Sequence, residues 1–369
     1  EITLGEINDT GETVTEIDGA PVVVSGGLPG ELVIAEVQKR FPERIAAKVD
    51  QVLEPAAERV VAECRYFLTC SGCQWQHVSY DHQLTLKRER VQREIDKYES
   101  LSHVNVDATV ESEKRLGYRN HGRFTIGKYE DVGQVGYKNM VTRQFVRIEE
   151  CLLMDDKINE TIGLVQDKME GQTQMSIRVG ANTDSMLVQP RMNISGLDLV
   201  TGEQHYEEEV RGSRFRVAAS SFFQVNTGQL SKAIDEVREL LDLDGSEVMV
   251  DAYCGVGVFA VLMSPYVKRV VGIEESASAI EDAGLNINGV TNVEFIEGKT
   301  EHVLADWAEE DEVDVLLLDP PRVGCHPDVL DSVKKLKPKK VLMVSCEPAA
   351  MARDLDLLCD GGMYRLETL

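Results

Sequence analysis

Residues 251–260 read DAYCGVGVFA, directly after the apolar VMV at 248–250. The reading that decides the fold is a buried strand, a tight turn on Gly255 and Gly257, and then a helix. Neither glycine carries a Cβ to hold a ligand off the backbone, so the turn suits close approach by a cofactor. An amphipathic helix, LSKAIDEVRELLDL (230–243), precedes it. Apolar runs follow at RVVGIEE (269–275), NVEFIEG (292–298), VDVLLLDPP (313–321) and KKVLMVSC (339–346), with YRLETL (364–369) read as a last strand. Near-continuous apolar strands alternating with helices indicate a parallel sheet covered on both faces. Residues 218–369 are therefore expected to form a doubly wound, Rossmann-like α/β domain.

Composition narrows the class. With 369 residues the chain has room for two or three domains. Its apolar content of 43% argues against disorder. No stretch of about 18 apolar residues exists, and the start, EITLGEINDTGE, is neither basic nor apolar. Neither a membrane span nor a signal peptide is expected. Eight unevenly spread cysteines are too few for a disulfide scaffold and point to metal or catalysis in the cytoplasm. The net charge of −25 speaks against a polyanionic partner at face value. The charge is uneven, however: residues 59–147 hold fifteen Lys and Arg against eleven Asp and Glu, whereas 245–369 hold eleven against twenty-three. A locally basic middle on an acidic body can still hold a phosphate backbone.

Residues 1–52, with PVVVSGGLPGELVIAEVQKR (21–40) and RIAAKVDQVLE (from 44), read as short strands between Gly and Pro turns. They suit a small barrel of the oligonucleotide-binding kind. From about Tyr80 a helix is expected, with Leu84, Val91 and Ile95 recurring among Lys87, Arg88, Arg90 and Arg93. Residues 117–150 and 175–193 look like antiparallel strands, so 53–217 form a mainly β-rich central domain.

Further constellations carry chemistry. Glu274 ends a strand where a carboxylate can take both hydroxyls of a ribose. Nicotinamide and S-adenosylmethionine enzymes share this logic with the glycine turn. Asp319-Pro320-Pro321 gives a stiff exit from the sheet beside the cofactor, suited to gripping the edge of a planar base. Cys346, in VSCEPAAMARD (344–354), ends the next strand on the same sheet edge. It reads as a packed thiol, a metal ligand or a nucleophile. A thiolate beside a base pocket has one evident use, because attack on C6 of uracil makes C5 electron-rich enough to accept a methyl group. Cys64-x5-Cys70-x2-Cys73, with Cys151 as a distant fourth, suits zinc or an iron–sulfur cluster, and spacing does not separate the two. His77 and His82 are expected in solvent. Lastly, SSFFQVNTGQ (220–229) offers two aromatics followed by the amides of Gln224 and Asn226.

In this order the pieces resemble the RNA uracil-C5-methyltransferase family over nearly the whole chain: a TRAM-like barrel, the three-plus-one cysteines, FFQVN, the glycine turn, DPPR and SC-x-P. The resemblance implies S-adenosylmethionine held by Gln224, Tyr253, Gly255, Gly257 and Glu274, with Asp319 near both cofactor and uracil. It implies a 4Fe–4S cluster on Cys64, Cys70, Cys73 and Cys151, zinc being the chemical alternative, and Cys346 as the nucleophile. The substrate is then a uridine in structured RNA, either tRNA or 23S-type rRNA, for a cytoplasmic monomer whose basic helix at 80–100 packs on the catalytic domain. Two departures stand out. Glu347 occupies a position where Asn or Asp is expected. Family members also carry, past a strand like YRLETL, a His-x-Glu hairpin whose glutamate removes the C5 proton, so that base is expected beyond Leu369. A non-catalytic RNA-binding protein with a degenerate methyltransferase domain is the alternative, and a nicotinamide-dependent oxidoreductase would leave Cys346 and Asp-Pro-Pro without use.

Overall fold

The computed structural model describes residues 1–194, 196–307 and 312–369. Five strands open it: β1 (Ile2–Thr3), β2 (Thr13–Ile17), β3 (Ala20–Ser25), β4 (Leu32–Arg40) and β5 (Ile45–Glu54), ordered β1-β4-β5-β3-β2. The chain just after β1 pairs with β2 through an Ile7–Thr13 bridge and a Val14 N–H to Glu6 carbonyl bond. That closure leaves no free edge between first and last strands, which is how small barrels avoid edge-to-edge association. Leu4, Val22, Val24, Val33 and Ala47 fill the interior.

After α1 (Tyr80–Ile95) and a short 3-10 turn at Glu99–Leu101 comes an antiparallel sheet. Its strands are β6 (His121–Ile126), β7 (Val135–Lys138), β8 (Phe145–Arg147), β9 (Gln174–Val179) and β10 (Met186–Gln189), ordered β10-β9-β6-β7-β8. Between β8 and β9 lies a helix not expected from the sequence, α2 (Asp156–Val165). Asp155 caps it by accepting from the Lys157 N–H, and Ile158, Ile162 and Val165 are fully buried against the sheet. A hairpin of β11 (His205–Val210) and β12 (Ser213–Ala218) follows; its two turn residues, Arg211 and Gly212, both have positive φ, matching the twist of the strands they join.

The remaining elements alternate: α3 (Thr227–Leu241), β13 (Val248–Ala252), α4 (Val258–Met263), β14 (Arg269–Glu274), α5 (Ala277–Asn286), β15 (Val293–Glu297), α6 (Thr300–Trp307), β16 (Val315–Leu318), α7 (Pro327–Leu336), β17 (Lys340–Met343) and α8 (Pro348–Cys359). All five strands are parallel, in the order β15-β14-β13-β16-β17. This is a doubly wound sheet, and its order reverses at β13, so the crevice beyond the carboxyl ends of β13 and β16 is the expected ligand position. Val250, Val270, Leu316, Leu317 and Leu318 are completely buried, as strands covered on both faces must be.

Helix α1 lies against α8, with an Arg90–Glu347 ion pair at 3.1 Å and Ile95 packed beside Ala352 and Cys359. The last six residues do not form a strand. Instead the Asp107 N–H donates to the Leu369 carbonyl at 2.7 Å, and Leu366 and Leu369 pack onto the α1–α8 seam. The apolar alternation of YRLETL serves packing against helices rather than pairing in a sheet. Among the described residues no helix is long and apolar enough to cross a membrane.

Candidate active site and cysteine cavity

Three carboxylates converge at the carboxyl ends of the central strands. Asp251 is fully buried; its Oδ2 accepts from the Ala260 N–H at 2.8 Å, which ties β13 to α4, while its Oδ1 has no hydrogen-bond partner. Burial, then the negative charges of Asp319 and Glu274, push the Asp251 carboxyl up to about 8. Burial alone raises Asp319 to about 6. Glu274, at the end of β14, accepts from the Gly255 N–H at 3.1 Å and the Ser276 N–H at 2.8 Å, so it braces the glycine turn. Asp251 went unnoticed in the sequence, where it reads as one more strand residue. Its signal was a charge inside an otherwise apolar run.

The two glycines of the turn differ. Gly255, at φ +55°, has open space where a Cβ would stand, so a ligand can approach its backbone. At Gly257, φ +84°, a Cβ would meet the ring of Phe295 at 2.6 Å and Ala283 at 3.4 Å. What Gly257 admits is therefore the protein's own β15 and α5. Tyr253, also in left-handed conformation at φ +65°, is half-buried. Gln224 is half-buried in the FFQVN segment. That segment is pinned by Asn120, whose side chain donates to the Gln224 carbonyl and to Thr227 Oγ1, both at 3.0 Å; Thr227 in turn donates to the buried Glu208 at 2.9 Å. Nothing in the spacing of Asn120 or Glu208 marks this network. The two aromatics diverge: Phe223 is buried edge-on to Tyr206, and Phe222 is 71% exposed.

The cysteines sort by place. Cys254, Cys325 and Cys359 are buried, and Cys346 is exposed. Leu318 pairs with Met343, and the Val344 N–H donates to the Leu318 carbonyl at 2.8 Å. This register carries Cys346 out of the sheet alongside Asp319 and the Pro320–Pro321 exit. The remaining four, Cys64, Cys70, Cys73 and Cys151, are half-buried and line one cavity of about 270 Å³ with Arg119 and Tyr137. Burial, then mutual repulsion with the other three, pushes the Cys70 thiol up to about 11, and Cys73 and Cys151 are raised as well. Cys73 accepts from Gln76 Nε2 at 3.3 Å. Four thiols gathered around one space fit a thiolate-ligated group. Among the described residues, no three His, Cys, Asp or Glu side chains form a group able to hold a single metal ion. His77 is not in solvent as expected. It is 2% exposed, with Nε2 at 3.1 Å from the Gly27 carbonyl, in the seam between barrel and cysteine segment. His82 is half-buried on α1.

Residues 197–363 match the family model for tRNA (uracil-5-)-methyltransferase. An uncharacterized RNA methyltransferase of Halalkalibacterium halodurans is 30% identical over 416 aligned residues, covering 98% of this chain and 91% of the relative. One from Synechocystis is 29% identical, covering 99% and 90%. In fold, the chain is similar to the crystal structure of Pyrococcus abyssi tRNA (uracil-54, C5)-methyltransferase in complex with S-adenosyl-L-homocysteine, with a TM-score of 0.73 and 23% identity over 97% of this chain and 93% of that one. Taken with the parallel sheet and the glycine turn, a relative matched at this level over nearly its full length settles the assignment: the chain is an RNA methyltransferase belonging to the RNA uracil-C5-methyltransferase family.

Proposed function

We propose that this protein transfers a methyl group from S-adenosylmethionine to C5 of a uridine in structured RNA, transfer RNA or large-subunit ribosomal RNA, with Cys346 as nucleophile. The observation that carries the reading is the exposure of Cys346 beside Asp319, in a domain whose other cysteines are buried. The bound S-adenosylhomocysteine of the Pyrococcus enzyme supports the cofactor. When bound, S-adenosylmethionine supplies a methyl group made electrophilic by its sulfonium charge. Gly255 offers the open backbone, Gln224, Tyr253 and Glu274 shape the remaining walls, and Gly257 serves the packing of the turn rather than the cofactor. The target uridine must leave its stack to reach the sheet edge. The Cys346 thiolate then bonds to C6, the C5=C6 pair moves onto O4 as an enolate, and C5 takes the methyl group. Loss of the C5 proton to a base re-forms the double bond and expels the thiolate. Incubation with unmodified tRNA and rRNA transcripts and methyl-labelled cofactor should place the label in 5-methyluridine; label confined to any other nucleoside rejects the reading.

Cofactor binding acquires a pH dependence from Asp319. Its carboxyl titrates higher in the fold than in the open chain, so ionising it costs the empty protein stability as pH rises from about 4 to about 6. A cationic sulfonium offsets that cost and binds the ionised form. Affinity for S-adenosylmethionine should therefore be about tenfold weaker at pH 5 than on the plateau above pH 7, one unit below the titration of one linked proton. S-adenosylhomocysteine, without the sulfonium charge, should change less in the same calorimetric titrations. Equal slopes for the two ligands would contradict the placement of Asp319.

We read the four-thiol cavity as the seat of a 4Fe–4S cluster, a group that four thiolates hold. Methyl transfer moves no net electrons, so the group's role is to cross-link an irregular segment. Protein purified without oxygen should absorb in the blue and bleach with dithionite. A colourless, zinc-bearing preparation would overturn this assignment.

A further inference from the structure

The ARD at 352–354 ends the stretch that begins at Cys346, and nothing above uses it. Asp354 lies in the second turn of α8 and is 1% exposed. Its Oδ2 accepts from the Cys325 N–H at 2.7 Å, and its Oδ1 accepts from Arg353 Nε at 2.8 Å and Nη2 at 2.6 Å. Arg353 Nη2 also donates to the Val323 carbonyl at 2.9 Å. Between these two anchors Gly324 takes φ +86°; a Cβ there would stand 2.4 Å from Arg353 Nη2 and 2.5 Å from Asp354 Oδ2. The loop 319–325 has otherwise one internal turn, from the Gly324 N–H to the Pro321 carbonyl at 2.8 Å. Its far half is thus gripped by the helix that starts two residues after Cys346.

We propose that Arg353 and Asp354 are positioning residues for methyl transfer, clamping the Asp319–Cys325 loop to the helix that follows Cys346 so that the two walls of the uracil pocket keep one separation. This rests on the assignment of Cys346 and Asp319 to that pocket. A buried carboxylate is costly to desolvate, and three donors from two neighbours offset the cost only in one geometry. Such a pair is poor at adding stability and good at fixing register. Arg353, 46% exposed at its side chain, is the accessible half of the clamp.

The test compares Arg353→Gln, Arg353→Lys, Asp354→Asn and Cys346→Ala in the full chain. The probes are unmodified tRNA and rRNA transcripts and the same transcripts made with 5-fluorouridine, whose C5 fluorine is not lost as a proton is and so traps the adduct. Arg353→Gln and Asp354→Asn should slow single-turnover methyl transfer and adduct formation about 10- to 100-fold, the penalty for misplacing reacting groups by about 1 Å. Their dissociation constant for S-adenosylmethionine should stay within about twofold of the parent, and Arg353→Lys, which still donates to Val323, should recover most of the rate. Parent-like rates in the folded Gln and Asn variants would overturn the proposal, as would losses of rate and cofactor affinity in equal proportion. Should Asp354→Asn not fold, the Gln and Lys pair at position 353 decides. An adduct that persists in Cys346→Ala refutes the nucleophile instead, an outcome separate from any slowing at 353.

Discussion

Cys346→Ala should abolish methyl transfer and the trapped adduct with 5-fluorouridine RNA while leaving cofactor binding unchanged. Removing the nucleophile of a covalent mechanism costs roughly 10⁴-fold or more in rate, because C5 of uracil has no other source of electron density. The side chain is small and exposed, so the fold loses little by its truncation. The measurement is paired: transfer of labelled methyl to the transcripts, and calorimetric titration with S-adenosylmethionine. Residual methylation within tenfold of the parent would mean that another group activates the base.

The second large effect separates two glycines of one turn. Gly257→Ala should lower stability by about 2–5 kcal/mol, combining about 1–2 for a non-glycine residue in left-handed conformation with about 1–3 for overpacking. The clash is with Phe295, a half-buried ring that also stands against Gly272 of β14 and packs on the core. Gly255→Ala carries only the conformational cost, since nothing stands within 4 Å of its Cβ position. Its damage should fall on cofactor affinity. Unfolding midpoints with and without S-adenosylmethionine read both: a large drop at 257 in the empty protein, and at 255 a loss of the rise that cofactor produces. Reversal of the two patterns would place the ligand over the wrong glycine.

The parallel sheet was legible because its strands are predominantly apolar runs alternating with helices, the pattern that burial on both faces favours. All five lie where the sequence placed them. The barrel and the antiparallel strands were legible from glycine turns between β-branched runs. Helix α2 was not, because DKINETIGLV is short and its four buried positions, one of them a threonine, make only one face among polar neighbours. YRLETL misled for a related reason: Tyr364 and Leu366 alternate with polar residues as in an edge strand, yet Leu366 and Leu369 serve a segment laid over a helix pair. The cysteine quartet was visible by spacing, yet the burial of His77 was not, since it follows from a contact with Gly27 some 50 residues away. Asn120 and Glu208 share that obscurity. Each acts through a hydrogen bond to a partner distant in sequence, and no local pattern announces such bonds.

The Arg90–Glu347 contact joins residues 257 positions apart. At synthesis rates of about 5–20 residues per second, the ribosome needs roughly 13–50 s to deliver α8 after α1 has emerged. Throughout that interval Ile95 and Leu101, which end fully buried, have no partner helix to cover them. The nascent chain therefore exposes an apolar stripe beside a basic helix until α8 has been made, and chaperone capture or premature association at that stripe is the hazard this connectivity creates.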